Sequence, residues 1–170
     1  NTGGATPSSP FTATGSPVTT QGATVTGGVT GLTPNTLYHF RATGTNAVST
    51  TNGSDATFTT LPNPPTISGT NNTNAQASVG ATSFTAHWTA PTGQGSETFT
   101  YTLEVDDDDA FGSPITPVTG IASGTLTSNV TGLSSGGTYF YRVKSVNTTG
   151  SSTWSSPISD TVFLSSLAAE

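Results

Sequence analysis

Four consecutive carboxylates, Asp106–Asp109, form the densest group of side chains in the sequence that could do chemistry. Carboxylate oxygens are the hard ligands that calcium takes, and Asp106 and Asp108 are the candidate ligands. A strand or turn points adjacent carboxylates apart, however, and the spaced Asp-x-Asp-x-Asp-Gly loop with a distant Glu is absent. The pattern favours a solvated turn over a calcium site, and it implies no other cofactor.

The two histidines, His39 and His87, stand singly at predicted outward positions of different strands, with no second ligand at metal-binding spacing. Neither has a Ser or Asp arranged in a recognisable nucleophile motif. No Gly-rich stretch follows a strand and opens a helix, so a phosphate-binding loop is not predicted. The sequence therefore predicts surface histidines, no catalytic residues and no enzyme activity.

One tryptophan, Trp154, lies in the Gly- and Ser-rich segment "TTGSSTWSSP" between two predicted strands. An exposed loop tryptophan can stack on a sugar or anchor a protein partner. It can equally fold over the end of its own domain, and the sequence favours this second interpretation. Trp154 is the candidate ligand contact of the chain.

Charge is sparse throughout the 170 residues, with three Lys plus Arg against nine Asp plus Glu and a formal net charge of -6. Such a surface repels phosphate backbones and anionic lipid, so neither nucleic acid nor a membrane is an expected partner. The absence of cysteine excludes disulfides and thiolate metal sites. A surface of Thr, Ser, Asn and Gly in place of Lys and Glu favours an extracellular or cell-surface location.

An internal repeat organises the chain, because "VTGLTPNTLYHF" (residues 29–40) recurs as "VTGLSSGGTYFY" (residues 130–141) at a shift of 101 residues. Further on, "SDATF" (54–58) matches "SDTVF" (159–163) at a shift of 105, so a loop is four residues longer in the second copy. A period near one hundred matches small domains in tandem rather than a solenoid.

Short strands are predicted in both copies, because β-branched residues are dense and apolar residues alternate at period two. Three predicted strands place their apolar residues on one face: Phe84, Ala86 and Trp88; Tyr101, Leu103 and Val105; Tyr139, Tyr141 and Val143. The intervening positions, among them Thr102, Glu104 and Arg142, are expected to face solvent. Six or seven such strands per repeat indicate an all-β antiparallel sandwich.

These segments resemble the fibronectin type III family, in the diverged form common in secreted proteins of Bacteroidetes-like bacteria. The resemblance covers residues 64–164 and rests on "SFTAHW", on "YTLEVDDDDAF" and on "VTGL-x5-Y-x-Y-R-V". It implies tandem immunoglobulin-like sandwiches with Trp88 in the core. It also implies that the Leu133 to Tyr139 spacing is a tyrosine corner, which Leu32 and Tyr38 repeat in the first copy.

The repeat alignment predicts one complete domain and one incomplete domain, because the counterparts of Trp88 and Tyr101 would precede Asn1. The expected organisation is the C-terminal half of a domain (1–61), a Pro-rich linker (62–65), a complete domain (66–164) and a tail or the start of the next linker (165–170). In the half domain, strands are expected near residues 11–14, 23–30, 36–43 and 55–60. Tyr38, Phe40 and Phe58 should then lack a facing sheet.

Two accounts of the incomplete copy stay open: a fragment of a longer array, or a sandwich that strands from another chain complete. Pro62, Pro64 and Pro65 should hold the two domains as a semi-rigid rod. The sequence thus predicts a non-catalytic spacer or adhesion module. The alternatives are a fibre subunit and an accessory carbohydrate-binding module. The partners expected are neighbouring domains or other copies of the chain, and glycans in the last case.

A modification site is also predicted, because "DTV" (160–162) is similar to the short O-glycosylation motif of Bacteroidetes. The acceptor would be Thr161.

Overall fold

The computed structural model describes residues 23–67, 81–115 and 117–155 and the backbone of residues 160–163. This part of the chain forms eleven strands and no helix, so none of its elements is a helix that could cross a membrane. The strands are β1 (Leu37–Phe40), β2 (Thr43–Thr45), β3 (Thr50–Asn52), β4 (Ala56–Thr59), β5 (Thr66–Ile67), β6 (Phe84–Thr89), β7 (Thr100–Asp106), β8 (Val118–Ala122), β9 (Thr127–Val130), β10 (Thr138–Val146) and β11 (Asp160–Phe163). Every pairing between these strands is antiparallel, which confirms the predicted all-β class.

Strands β5 to β11 form two sheets, and we refer to residues 62–163 as the second unit. One sheet has the order β5-β6-β9 and the other the order β11-β10-β7-β8. The longest ladder joins β10 to β7, from Phe140 opposite Asp106 to Val146 opposite Thr100. Seven strands in two antiparallel sheets are the sandwich that the alternating pattern predicted.

The core of the second unit lies between these sheets. Trp88 on β6 is 2% exposed and meets the ring of Tyr101 on β7 edge-on at 5.4 Å. Phe84 contacts Tyr141 on β10, with ring centroids 5.7 Å apart. The Tyr141 hydroxyl donates to the His87 carbonyl at 3.1 Å, so one side chain joins the two sheets. Each such side chain contributes about 1.5–3 kcal/mol through burial.

The outward face of the four-stranded sheet is less exposed than predicted. Thr102 is only 8% exposed, and the side chains of Glu104 and Arg142 are each 17% exposed. The expectation that these residues face open solvent is therefore wrong. Thr102 pairs with Lys144 in the ladder, and the Trp154 ring lies over Lys144, so a loop covers this face.

Residues 23–61, which we call the first unit, form two hairpin-like pairs, β1 with β4 and β2 with β3. Predicted strand 55–60 corresponds to β4, whereas predicted strand 36–43 is interrupted after Phe40. Residues 23–30 form no strand, only an isolated bridge residue at Thr26. Their counterpart β9 pairs with β6, and the described part of the first unit contains no equivalent of β6.

The aromatic residues of the first unit differ in exposure. Phe40 is 55% and Phe58 40% exposed, whereas Tyr38 is covered and only 5% exposed. Phe58 stacks on Tyr38 with centroids 5.7 Å apart, which supplies part of that cover. The strand predicted near residues 11–14 and the tail at 165–170 lie outside the described residues.

Candidate functional site

The acidic turn after β7 directs its carboxylates to its own backbone. Asp106 is 2% exposed, and its two oxygens accept hydrogen bonds from the amides of Asp107 (2.8 Å) and Ser113 (3.2 Å). Asp108 accepts from the amide of Ala110 at 3.0 Å. Carboxylates that cap local amides in this way stabilise a turn. Across the described residues, no three His, Cys, Asp or Glu side chains come together as a metal site.

His39 forms a pair that the sequence did not predict. Its Nδ1 lies 2.7 Å from Asp55 Oδ2, and both side chains are well exposed, at 63% and 59%. His39 is opposite Thr57 in the β1–β4 ladder, and Asp55 precedes Thr57 by two residues, which places it on the same face. An exposed pair of this kind contributes little to stability. His87 lies on β6 and its carbonyl accepts the bond from Tyr141.

Trp154 packs on the outward face of its own sheet. The guanidinium carbon of Arg142 is 4.1 Å from the centre of the Trp154 ring, and Lys144 Nζ is 4.3 Å from it. Arg142 also lies 4.1 Å from the Phe111 ring, while its Nε and Nη2 both donate to Glu104, at 2.9 and 2.6 Å. We call Glu104, Phe111, Arg142, Lys144 and Trp154 the basic–aromatic cluster.

The basic–aromatic cluster bears on the ligand-contact role predicted for Trp154. It contains two of the three Lys and Arg residues of the chain. Each cation–π contact contributes about 0.5–2 kcal/mol. These contacts hold the indole of Trp154 against its own domain, so the arrangement has a structural role. The role of Trp154 in binding stays a prediction.

Both tyrosines at the repeated corners make the same bond. The Tyr139 hydroxyl accepts from the Ser134 amide at 2.9 Å, and the Tyr38 hydroxyl accepts from the Thr33 amide at 2.8 Å. Leu133 is 5% exposed at its corner, and Leu32 is half-buried at the other. The glycine before each leucine has a left-handed φ, 72° and 78°, which a glycine adopts without strain. The two copies therefore share one corner geometry.

The two units meet in a hydrogen-bonded contact that we call the joint. It is formed by residues 34–36 and 59–61 of the first unit against residues 95–97 and 147–150 of the second. At its centre is Asn35, which is fully buried. Its Nδ2 donates to the carbonyls of Glu97 and Gly95, and its Oδ1 accepts from Asn147 Nδ2 at 3.0 Å.

Backbone groups complete the joint. The Gly95 amide donates to the Pro34 carbonyl at 2.8 Å, and the Glu97 amide donates to the Asn35 carbonyl at 3.3 Å. Asn147 Nδ2 also donates to the Thr60 carbonyl, and Thr149 Oγ1 donates to the Thr59 carbonyl, both at 2.9 Å. Buried polar groups that find partners in this way avoid the cost of an unmade bond.

Gly95 allows the two units to approach closely. A Cβ at this position would lie 2.3 Å from Thr36 Oγ1 and 2.7 Å from the Asn35 carbonyl oxygen. Both distances are far below van der Waals contact, so only glycine fits without a shift of the joint.

The sequence pointed to the linker prolines but not to the joint. Pro62 and Pro65 are buried, and Asn63 between them binds the rest of the second unit through Gln94 Oε1 (2.9 Å) and the Thr92 carbonyl (2.8 Å). One signal for the joint was present, because Asn35 aligns with Gly136 in the repeat and both have left-handed φ values of 47° and 70°. An asparagine that replaces a glycine at such a turn keeps the conformation and adds an amide.

Two further places in the fold do not form a site within the described residues. Thr161 lies in β11, and its side chain is outside the described part of the chain. A shallow depression of about 300 Å³ lies beside the joint and is lined by Thr98, Phe99, Thr100, Val146, Asn147 and Thr148. Its lining has no ionisable side chain that could act in acid–base chemistry.

Comparison with known proteins agrees with this architecture. The model of the fibronectin type III domain matches residues 63–161, more than half of the chain, and the chain belongs to this family. A two-domain fibronectin type III segment from chicken tenascin is similar in structure, with a TM-score of 0.54 at 18% identity over 78% of this chain and 67% of that one.

Two human domains are more distant. The sixth fibronectin type III domain of human fibronectin type III domain containing protein 3 has a TM-score of 0.44 at 18% identity, over 64% of this chain and 87% of that one. The fibronectin type III domain of human KIAA0970 protein has a TM-score of 0.46 at 12% identity, over 56% and 72%. No curated protein matches the sequence.

Proposed function

We propose that the chain is a non-catalytic connecting module of a larger extracellular protein, which holds the parts on either side of it at a fixed separation. The observation that carries this proposal is the joint, in which a buried asparagine and paired backbone groups connect two units of one chain. A module that only tethers its neighbours does not need a desolvated contact of this kind.

The composition supports the extracellular part of this proposal. A surface rich in Thr, Ser, Asn and Gly with only three Lys plus Arg suits a module without charged partners. Protease treatment of intact cells that produce the parent protein tests the location. Release of fragments containing this chain is expected, and complete protection in intact cells would contradict an outer location.

The connecting role can be tested by energy transfer between fluorescent proteins fused to the two ends of the chain. A connector of fixed length predicts lower transfer than a Gly/Ser chain with the same number of residues, because a flexible chain brings its ends together more often. The transfer should also change little with ionic strength, since few charges are present. Transfer equal to that of the Gly/Ser chain would contradict the proposal.

We further propose that the first unit is the C-terminal half of a fibronectin type III domain. The repeated corner supports this, as does Phe40, which is 55% exposed while its counterpart Tyr141 is fully buried. In the second unit the ladder of β10 has β7 on one side and β11 on the other, whereas β1 pairs only with β4 within the described residues. Within the described residues, the first unit therefore has no strand in the position that β7 occupies in the second unit.

The same observation favours a second candidate function, a fibre subunit completed by strands of another chain. An apolar face beside an unpaired strand edge is the surface that strand addition uses. Sedimentation over a range of concentrations tests it. Growing oligomers that Phe40→Lys abolishes are expected for a fibre subunit, and a monomer at all concentrations would exclude this function.

A further inference from the structure

The two units are attached to each other in two ways, and the two attachments restrict different motions. The first is the covalent linker through Leu61 and Pro65. Prolines fix φ but leave ψ free, so a linker alone permits rotation of one unit about its own axis. The second attachment is the contact of Asn35 with Glu97 and Asn147, which are remote from the linker in sequence. A second attachment removes that rotation.

Asn35 uses its full hydrogen-bonding capacity at the joint. Its amide donates to the Leu61 carbonyl at 2.9 Å, and its carbonyl accepts from Glu97. Its Nδ2 faces two carbonyls, and its Oδ1 faces Asn147 Nδ2. Since Asn147 Oδ1 accepts from the amides of Thr149 and Gly150, the orientation of both side-chain amides is determined by their neighbours. The network admits one arrangement.

The repeat supplies an internal comparison for Asn147. Its counterpart Asn46 forms the same turn, with Oδ1 accepting from the amides of Val48 and Ser49, both at 2.9 Å. The backbone bond across the turn is also the same, 3.0 Å from the Asn46 amide and 2.9 Å from the Asn147 amide. Asn46 is exposed and contacts no other unit within the described residues. The turn alone is therefore not the joint.

From these observations we infer that Asn35, paired with Asn147, is the residue that locks the angle between the two units, so that they form one rigid body in solution. The prolines of the linker are not sufficient for this. Loss of the Asn35–Asn147 amide pair converts this rigid body into two units that rotate about the linker. This inference rests on the proposed connecting function for its purpose, but the angle can be measured independently of any function.

Distance measurement across the joint by pulsed electron–electron resonance tests the inference. The chain has no cysteine, so Thr51→Cys in the first unit and Ser123→Cys in the second introduce the only two label sites, both at exposed positions. A single narrow distance is expected in the otherwise unchanged chain. A broad distribution there would overturn the inference.

Two variants break the lock. Asn35→Ala removes the central amide and should cause loss of the single narrow distance. Asn147→Asp keeps the oxygen that accepts from Thr149 and Gly150 but removes the donor to Asn35 and Thr60, so it should broaden the distribution without disrupting the turn. If Asn35→Ala does not fold, Asn147→Asp still decides the question. An unchanged narrow distance in Asn147→Asp would overturn the inference.

The matched control is Asn46→Asp, which makes the same replacement in the turn that contacts no other unit within the described residues. It should leave the distance distribution unchanged, and the near-ultraviolet dichroism of all variants should show an intact second unit. A broadened distribution in Asn46→Asp would assign the effect to turn geometry and contradict the role of the amide pair. A narrow joint distance together with coil-like energy transfer between the ends would contradict the connecting function and leave the lock intact.

Discussion

The two copies of the VTGL segment have nearly the same sequence but occupy different surroundings. Tyr38 and Tyr139 are each 5% exposed and make the same corner bond. Two residues later the copies diverge, because Phe40 is 55% exposed whereas Tyr141 is fully buried. The corner depends on contacts within a few residues of the chain, while burial of the next aromatic residue depends on a facing sheet. Local and long-range determinants of this fold are thus separated within one repeat.

The largest difference is expected when the aromatic residue at this position is removed from each copy. Tyr141→Ala should destabilise the second unit by about 3–5 kcal/mol, since it empties a core site. Phe40→Ala should change stability by only about 0.5 kcal/mol, as for an exposed residue. Hydrogen exchange of the amides in β10 and β1 measures each effect locally. Equal losses of stability in the two units would contradict the difference in burial and would mean that Phe40 is covered in solution.

The aligned arginines should differ next. Arg142→Ala should cost about 1–2 kcal/mol, because it removes the charge-assisted bonds to Glu104 and the contact with the Trp154 ring. Arg41, its exposed counterpart, should tolerate the same change with almost no loss. Denaturant unfolding followed by tryptophan fluorescence measures the first, and hydrogen exchange in β1 the second. A neutral Arg142→Ala would mean that the basic–aromatic cluster contributes nothing to stability.

The corner hydroxyls should behave alike in both copies. Tyr139→Phe and Tyr38→Phe each leave one backbone amide, that of Ser134 or Thr33, without its acceptor. The expected cost is about 1 kcal/mol in each unit. Faster exchange of those two amides is the measurement. A loss of stability in one copy alone would show that the same corner bond contributes different free energies in the two units.

The smallest effect concerns pH, and it applies to the second unit alone. Burial raises the pKa of Tyr101 above its ordinary value of 10.0, against a weaker lowering effect of Trp88. Neither the Trp88 Nε1 nor the Tyr101 hydroxyl reaches hydrogen-bond geometry with a described residue, which is consistent with burial as the larger effect. The folded state holds the phenol proton more tightly than the unfolded state. The protonated Tyr101 phenol therefore makes its full contribution to stability below pH 10.0, and this contribution is lost as the pH rises through the raised pKa.

Tyr101→Phe provides the test of this pH effect. The variant should lose less stability than the unchanged protein between neutral and strongly alkaline pH, as measured by denaturant unfolding. Parallel stability curves for the two proteins would contradict the assignment to Tyr101.

The sandwich and its corners were predictable because their signals are local. Alternation at period two placed Phe84, Trp88 and Tyr101 in the core, and the repeat identified the tyrosine of each corner. Both signals depend on residues that are close in sequence or are copied at a fixed shift. The strand predicted at 23–30 failed for the complementary reason, since a strand needs a neighbour that its own sequence does not specify.

The joint and the cover over Arg142 were not predictable for a related reason. Asn35 donates to backbone carbonyls about sixty residues away in the chain. Because every residue has a backbone carbonyl, the sequence does not indicate which one acts as the acceptor. Trp154 meets Arg142 and Lys144 only because a loop folds back over the sheet. The pair of His39 and Asp55 depends on the register of β1 against β4, which the sequence pattern does not determine.

The requirement for glycine at position 95 has a consequence for the evolution of such a protein. A single added methyl group there would wedge the units apart, because it would overlap Thr36 and the Asn35 carbonyl. The hydrophobic core of the second unit would not be touched, so this unit would keep its melting temperature while its orientation relative to the first unit changed. A substitution at this position can thus change the angle between the units without changing the stability of the second unit, so evolution can select on the two properties separately.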